Sequence, residues 1–331
     1  MKVCIIGSGA YGISLASRLI KNGHEVICYS NNKEEVNFLN EKRISDKLKG
    51  YKVPIDIKFT YNVKSAVKNS RLIIFALPAV CFDEVTKKVS KYISDDAHVL
   101  IATKGIENDT CLFLTEIVDR NIRTNKIAVM SGPTFAVDII TDTPIAFTLA
   151  TTNSDTKEFI KGTLSSNITK FRDTQDIIGV QICGAIKNVM AIASGMLGGM
   201  GALDSTKALF LTEALNDIKE LIDAIGGNKK TILSYAGFGD ILMTCTSTNS
   251  RNYSYGKLIG EGKLNEAKDY ALNTTVEGLY TLKSIKDLIK KEKVKMPIID
   301  LISDIICGNK DKESMLTFLI EKKWLWMKLI S

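Results

Sequence analysis

Lys187 is the residue whose setting says most about chemistry. It stands in Cys183-Gly184-Ala185-Ile186-Lys187-Asn188-Val189-Met190-Ala191-Ile192, a run that is otherwise almost wholly apolar. Burial disfavours an ammonium ion, so its pKa should fall toward neutrality, where the amine can both give and take a proton. The alternative is a structural lysine paired with a carboxylate across a domain interface. A second constellation comprises Gly237-Phe238-Gly239-Asp240, the hydroxyl-rich stretch Thr244–Thr248, and Asn249-Ser250-Arg251-Asn252. Arg251 is the only arginine after Arg172 in a lysine-rich chain, and a planar guanidinium among hydroxyls and amides suits a bidentate grip on phosphate. Asp240 is placed either to accept from a substrate hydroxyl or to orient Lys187. A polar loop with a capping Asp is the plainer reading of both.

Gly7-Ser8-Gly9-Ala10-Tyr11-Gly12 follows a first apolar strand and opens a helix. Gly7 permits the tight turn, Gly9 lets backbone approach a pyrophosphate, and Gly12 lets helix and strand pack closely. The N–H groups at Ala10 and Tyr11 and the helix dipole favour an anion there. After the second strand comes Ser30-Asn31-Asn32-Lys33, with no acid until Glu34. An NAD site is expected to carry Asp or Glu here for the ribose 2′-hydroxyl. Neutral amides at Asn31 and Asn32 beside Lys33 would instead tolerate a 2′-phosphate, so NADP is favoured over NAD. The alternative is a polar loop that touches nothing. Ala102-Thr103-Lys104-Gly105 and Ser131-Gly132-Pro133-Thr134 each follow a strand, at the edge where ligands bind in such sheets. Lys104 there either contacts the nicotinamide region or a substrate oxygen, or is simply solvated. Ser131–Thr134 either supplies N–H groups and a hydroxyl or starts a helix with proline in its first turn.

The elements that must position these residues alternate as parallel βαβ units require. Strands are expected at Lys2–Ile6, Glu25–Tyr29, Leu72–Ala76, Val99–Ala102, Ile127–Val129, Ile145–Ala150 and Ile168–Phe171, with helices near 10–22, 33–40, 80–91 and 110–123. Beyond Asp173 the period is helical throughout: 178–195, 207–225, 253–261, 276–292 and 298–307. Asn273-Thr274-Thr275 reads as a helix start with a side-chain cap. The expected architecture is α/β: a Rossmann-type parallel-sheet domain over residues 1–175, then an all-helical substrate and catalytic domain over 176–331, with a ligand cleft between them.

Composition narrows the classes. With 331 residues, 45% hydrophobic and 24% charged, the chain is an ordinary globular protein. The net charge of +7 is spread along the sequence, and the cluster Lys290, Lys291, Lys293, Lys295 is broken by Glu292, which speaks for a solvated helix end and against nucleic-acid binding. A mildly basic surface would steer an anionic small substrate. Seven scattered cysteines without a CxxC pair point to free thiols in a reducing compartment, and two histidines leave no material for a metal site. Glycines 7, 9, 12 and 23 argue against a signal peptide at the N-terminus. In Ile177–Leu203, Gln181, Lys187, Asn188 and several glycines argue for a buried helix and loop in place of a membrane span. A cytoplasmic location is expected.

Taken in order, the segments Gly7–Gly12, Asn22–Val26, Ala102–Gly105, Ser131–Ala136, Gly184–Ile192, Gly237–Asp240, Leu242–Thr246, Asn249–Asn252 and Val276–Gly278 closely resemble the bacterial NAD(P)-dependent glycerol-3-phosphate dehydrogenase family. The resemblance implies reversible reduction of dihydroxyacetone phosphate to sn-glycerol 3-phosphate for phospholipid synthesis, and usually a homodimer. It makes Lys187 the catalytic proton acceptor in the oxidative direction. Lys104, Gly132, Thr134, Lys187, Asp240, Ser250, Arg251 and Asn252 become substrate contacts. Ala10, Tyr11, Asn31, Lys104, Ala136, Arg251, Thr275 and Glu277 join Gly7, Gly9 and Gly12 as cofactor contacts. No metal is implied.

Two segments depart from the family pattern. Ser205-Thr206-Lys207 replaces a common Asn-Ala-Lys or Asn-Ala-Arg, and Thr212-Glu213-Ala214 replaces Thr-Arg-Gly, reversing a charge. Both bear on inter-helix contacts or kinetic tuning more than on the reaction. Rival readings are another reductase with the same two-part plan, such as ketopantoate reductase or a relative of 6-phosphogluconate dehydrogenase, and a nucleotide sensor that lost its chemistry. The segments 131–136 and 250–252 argue against the first. Lys187 and an intact 237–252 loop argue against the second.

Overall fold

A computed structural model describes residues 1–321; the last part of the expected helical domain, 322–331, lies outside the described residues. Ten strands occur in the order β1 (Lys2–Ile6), β2 (Glu25–Tyr29), β3 (Ile44–Ser45), β4 (Tyr51–Lys52), β5 (Lys58–Thr60), β6 (Leu72–Phe75), β7 (His98–Ile101), β8 (Ile127–Ser131), β9 (Ile145–Ala150) and β10 (Thr169–Thr174). Eight of them form one sheet ordered β10-β9-β8-β7-β6-β1-β2-β5, while β3 and β4 make a separate antiparallel pair. The apolar runs form strands because both sheet faces are covered. Val3, Ile5, Leu72 and Ile74 enter one core, and Cys4, Ile6, Ile73 and Phe75 enter the other.

The expected strands are present with ends shifted by a few residues, and β3, β4 and β5 are additions. These are two or three residues long, too short to carry a readable period. The expectation of wholly parallel strands needs one correction. β9 pairs antiparallel with β8, and β10 runs parallel to β9. The β8–β9 connection holds only the five-residue helix Ala136–Ile140, and the chain simply reverses into the neighbouring strand.

Among the described residues beyond β10 only helices follow, at Ile177–Gly199, Asp204–Ala224, Asp240–Thr246, Arg251–Gly260, Leu264–Asn273, Glu277–Lys291, Pro297–Ile306 and Ser314–Glu321, with short helical turns at 229–239. Helix Ile177–Gly199 is their axis: every residue from Gly179 to Leu197 is buried. It is the one helix among the described residues long and apolar enough to cross a membrane, and 89% of that window is covered by the fold.

Its glycines do not break it, contrary to the sequence reading. They form a seam with helix Arg251–Gly260. A Cβ on Gly256 would lie 1.9 Å from the Ile192 carbonyl oxygen, and one on Gly195 would lie 2.1 Å from that of Tyr253. Close backbone approach outweighs the roughly 1 kcal/mol by which each glycine disfavours a helix. The expected cap at 273–275 is also corrected. Asn273 ends the preceding helix, and helix Glu277–Lys291 starts after Val276 without a side-chain cap of its own. Instead Asn252 Oδ1, from a different helix, accepts the Gly278 N–H at 2.8 Å.

Candidate active site

The carboxyl ends of β1, β6, β7 and β8 present the glycine loop, Ala76, Lys104 and Ser131–Thr134 along one sheet edge. Gly7 has φ of 126°, and a Cβ there would meet the Ala76 carbonyl oxygen at 2.2 Å. A Cβ on Gly12 would strike the Gly7 carbonyl oxygen at 2.3 Å. Gly9 differs, because a Cβ on it would meet nothing within 4 Å. The chain therefore leaves open space over the loop at the start of helix Ala10–Lys21. That helix has no side-chain cap and no acid in its first turn. Free N–H groups, a positive helix end and an open cradle fit a dinucleotide pyrophosphate. Tyr11 Oη lies 3.2 Å from Thr134 Oγ1, and Ser14 Oγ donates to the Ala136 carbonyl at 2.8 Å, so the Ser131–Ala136 segment is held against the loop.

Asp240 is the centre of the facing side. It is fully buried at the start of helix Asp240–Thr246. Lys187 Nζ donates to its Oδ1 at 2.6 Å and Lys104 Nζ donates to its Oδ2 at 2.6 Å. Ser131 Oγ donates to Oδ2 at 3.3 Å, and Thr244 Oγ1 receives the Lys187 amine at 3.0 Å. Unpaired buried charges cost several kcal/mol, so one carboxylate must serve two amines. Burial opposes ionisation of Asp240, but the two lysines hold its pKa below the usual carboxylate range. The two amines then divide. Burial, aided by repulsion from Lys104 and only partly offset by Asp240, pushes Lys187 down to about 8. Burial also works against Lys104, yet Asp240 and Tyr11 together hold it above its ordinary value. One amine is thus a fixed cation and the other exchanges its proton near neutrality. Of the two alternatives its sequence left open, the structure shows Lys187 paired with a carboxylate, and burial lowers its pKa within that pair.

A polar string anchors this centre. Asn188, next to Lys187, donates from Nδ2 to Glu277 Oε2 at 3.1 Å and accepts from Asn252 Nδ2 at 3.0 Å. Ser250 is buried, and its hydroxyl oxygen caps helix Arg251–Gly260 by accepting from the Tyr253 N–H at 3.2 Å. Gly132 is buried against Ala146, leaving no room for a side chain. The fold thus gathers Lys104, Thr134, Lys187, Asp240, Ser250, Asn252 and Glu277 with the glycine loop. It leaves Asn31, Arg251 and Thr275 exposed, with no contact that fixes their roles. Ser131, Thr244 and Asn188 lay in the right segments but had no assigned role. A buried amide beside a buried lysine in an apolar helix was the available signal.

Sequence profiles described as the N-terminus and C-terminus of NAD-dependent glycerol-3-phosphate dehydrogenase match residues 2–157 and 176–317. A glycerol-3-phosphate dehydrogenase (NAD(P)+) of Staphylococcus saprophyticus is 33% identical over 313 residues, covering 93% of this chain and 94% of the relative. The chain belongs to the NAD-dependent glycerol-3-phosphate dehydrogenase family.

A family member of Fusobacterium nucleatum is 34% identical over 94% of both chains. The crystal structure of glycerol-3-phosphate dehydrogenase from Coxiella burnetii superposes with a TM-score of 0.91 at 28% identity, covering 97% of this chain and 99% of the other. As a member of this family of NAD(P)-dependent oxidoreductases, the chain carries one of its two sequence departures inside the protein. Glu213, where a family arginine is common, is buried on helix Asp204–Ala224 beside the core residue Ala214. Ser205 is exposed near the start of the same helix.

Proposed function

We propose that this chain reversibly reduces dihydroxyacetone phosphate to sn-glycerol 3-phosphate, supplying backbones for phospholipids, with Lys187 as the proton donor and acceptor. The observation that carries the reading is a buried amine with a pKa near 8, held by Asp240 and Thr244 on the face opposite an open dinucleotide cradle. The bound dinucleotide supplies the hydride. Lys187 gives its proton to the carbonyl oxygen during reduction and recovers one during oxidation. Asp240 orients Lys187 and offsets its charge, and Lys104 keeps a permanent positive charge beside the reacting oxygen. Arg251, at the exposed start of its helix, grips the substrate phosphate together with Ser250 and Asn252. Gly132 and Thr134 line the substrate's other side. Ala10, Tyr11, Asn31, Ala136, Arg251, Thr275 and Glu277 bound the cofactor.

Unpaired cysteines, five of them buried, support a cytoplasmic setting, and membership in the family supports a homodimer. The direct test follows NADH and NADPH absorbance with dihydroxyacetone phosphate, 2-dehydropantoate and a 6-phosphogluconate-type acid as substrates. Turnover confined to the first is expected, and turnover confined to either other substrate would overturn the assignment.

A further inference from the structure

We propose that Glu35 reads the adenosine ribose of the cofactor and makes the site prefer a 2′-hydroxyl to a 2′-phosphate. This rests on the dinucleotide reading of the glycine loop and adds a selectivity that the motif itself does not carry. The strand β2 ends without an acid, but the first turn of helix Lys33–Lys42 returns one. Glu35 Oε2 accepts from Ser8 Oγ at 2.9 Å and from Ser30 Oγ at 3.1 Å. Ser8 is inside the Gly7–Gly12 loop, and Ser30 directly follows β2. The same two segments are tied by the Gly7 N–H donated to the Tyr29 carbonyl at 2.9 Å. The carboxylate therefore lies in the angle between loop and strand end, where sheets of this kind read the ribose.

Its placement is firm. Asn32 Oδ1 accepts the Glu35 N–H at 3.0 Å, and Lys47 pairs with the other carboxylate oxygen, Oε1. The side chain keeps 20% exposure, so the carboxylate is not sealed from a ligand. Lys33, the cation that would welcome a 2′-phosphate, lies instead over the Tyr61 ring at 5.4 Å. A 2′-phosphate would bring close to two negative charges against Glu35, and Lys47 offsets only one charge in all. A 2′-hydroxyl would donate to Oε2 in place of one serine.

Isothermal titration calorimetry of the whole chain with NAD+ and NADP+, without substrate or turnover, tests the proposal. The parent should bind NAD+ at least about tenfold more tightly than NADP+. Glu35→Gln keeps the shape and an acceptor for both serines, and should close that gap by about tenfold. Lys47→Met should widen the gap, and it remains informative if Glu35→Gln does not fold. Equal affinities in the parent would overturn the proposal. So would a Glu35→Gln protein that loses affinity for both dinucleotides by the same factor, which would make Glu35 a clamp for the loop and no more. A parent that binds neither dinucleotide would instead overturn the cofactor reading beneath it.

Discussion

Two charged regions of the molecule are built on opposite principles. In the Lys104–Asp240–Lys187 trio the carboxylate is fully buried and both amines are largely so, at the distances of short charge-assisted hydrogen bonds. Arg251 stands exposed at the start of its helix, where water solvates it. Charge in the interior is set by burial and by its neighbours, and burial, only partly offset by Asp240, drives Lys187 toward neutrality. Charge at the surface gains strength only when a ligand excludes water. In the proposed function the first region sets protonation and the second sets recognition.

The comparison breaks first at Lys187. Lys187→Ala should lower turnover by roughly 100-fold or more, the scale of a lost general acid–base group, while dinucleotide binding by calorimetry stays near the parent's. Near-normal turnover in a folded variant would remove the amine from the chemistry. Arg251 provides the contrasting effect. Arg251→Ala should cost on the order of 2–3 kcal/mol in apparent binding of dihydroxyacetone phosphate, and Arg251→Lys should recover only part of it. The unphosphorylated substrate dihydroxyacetone should be handled about as poorly as before. Retention of the full preference for the phosphorylated substrate would place the phosphate grip elsewhere.

Between the two regions lies the amide string. Asn252→Ala strands the buried Gly278 N–H and the Asn188 amide, and should lower the unfolding free energy by about 1–3 kcal/mol in urea titrations. An unchanged midpoint would mean the string is not a support.

The smallest effect is in pH. With Lys187 ionising near 8, its acid form prevails below that pH and its base form above it. The turnover number for reduction should be level below about pH 8 and fall above it, while that for oxidation rises through the same region. Asp240→Asn removes the charge that raises the Lys187 pKa, so the midpoint should move lower. A profile that moves upward would contradict the tuning described here.

How much of this could be read in the sequence depends on how local each feature is. The strand–loop–helix at Lys2–Lys21 is contiguous and its glycine spacing is read directly, although the contact that excludes a side chain at Gly7 comes from Ala76, beyond β6. Lys187 was legible because one charge in a long apolar run is a visible anomaly. Asp240 was recognised with two candidate roles, and only the fold shows it between two amines. The reversal at β9 depends on which neighbour a short connection reaches, which periodicity does not encode. The start of helix Glu277–Lys291 was misassigned because its N–H partner comes from Asn252, twenty-six positions from Gly278. Glu35 was passed over because the acid was sought at the strand's end, whereas a helical turn carries it back there.

The reversal of β9 and β10 also acts as a measuring device. Because β9 runs against β8 and β10 follows β9, β10 delivers the chain to the end of the sheet remote from the glycine loop. Helix Ile177–Gly199 must then climb the whole depth of the sheet before it can offer an amine to Asp240. Ten residues separate Ile177 from Lys187, a rise of about 15 Å, close to the span of a five-residue strand at about 3.3 Å per residue. The position of Lys187 is therefore fixed by a count of residues along a rigid rod. Adding or deleting one residue before Lys187 would turn the rod by about 100° and aim the amine away from its carboxylate. Point substitutions along that stretch leave the count intact, and they answer to the packing around a buried helix, a separate constraint from its length.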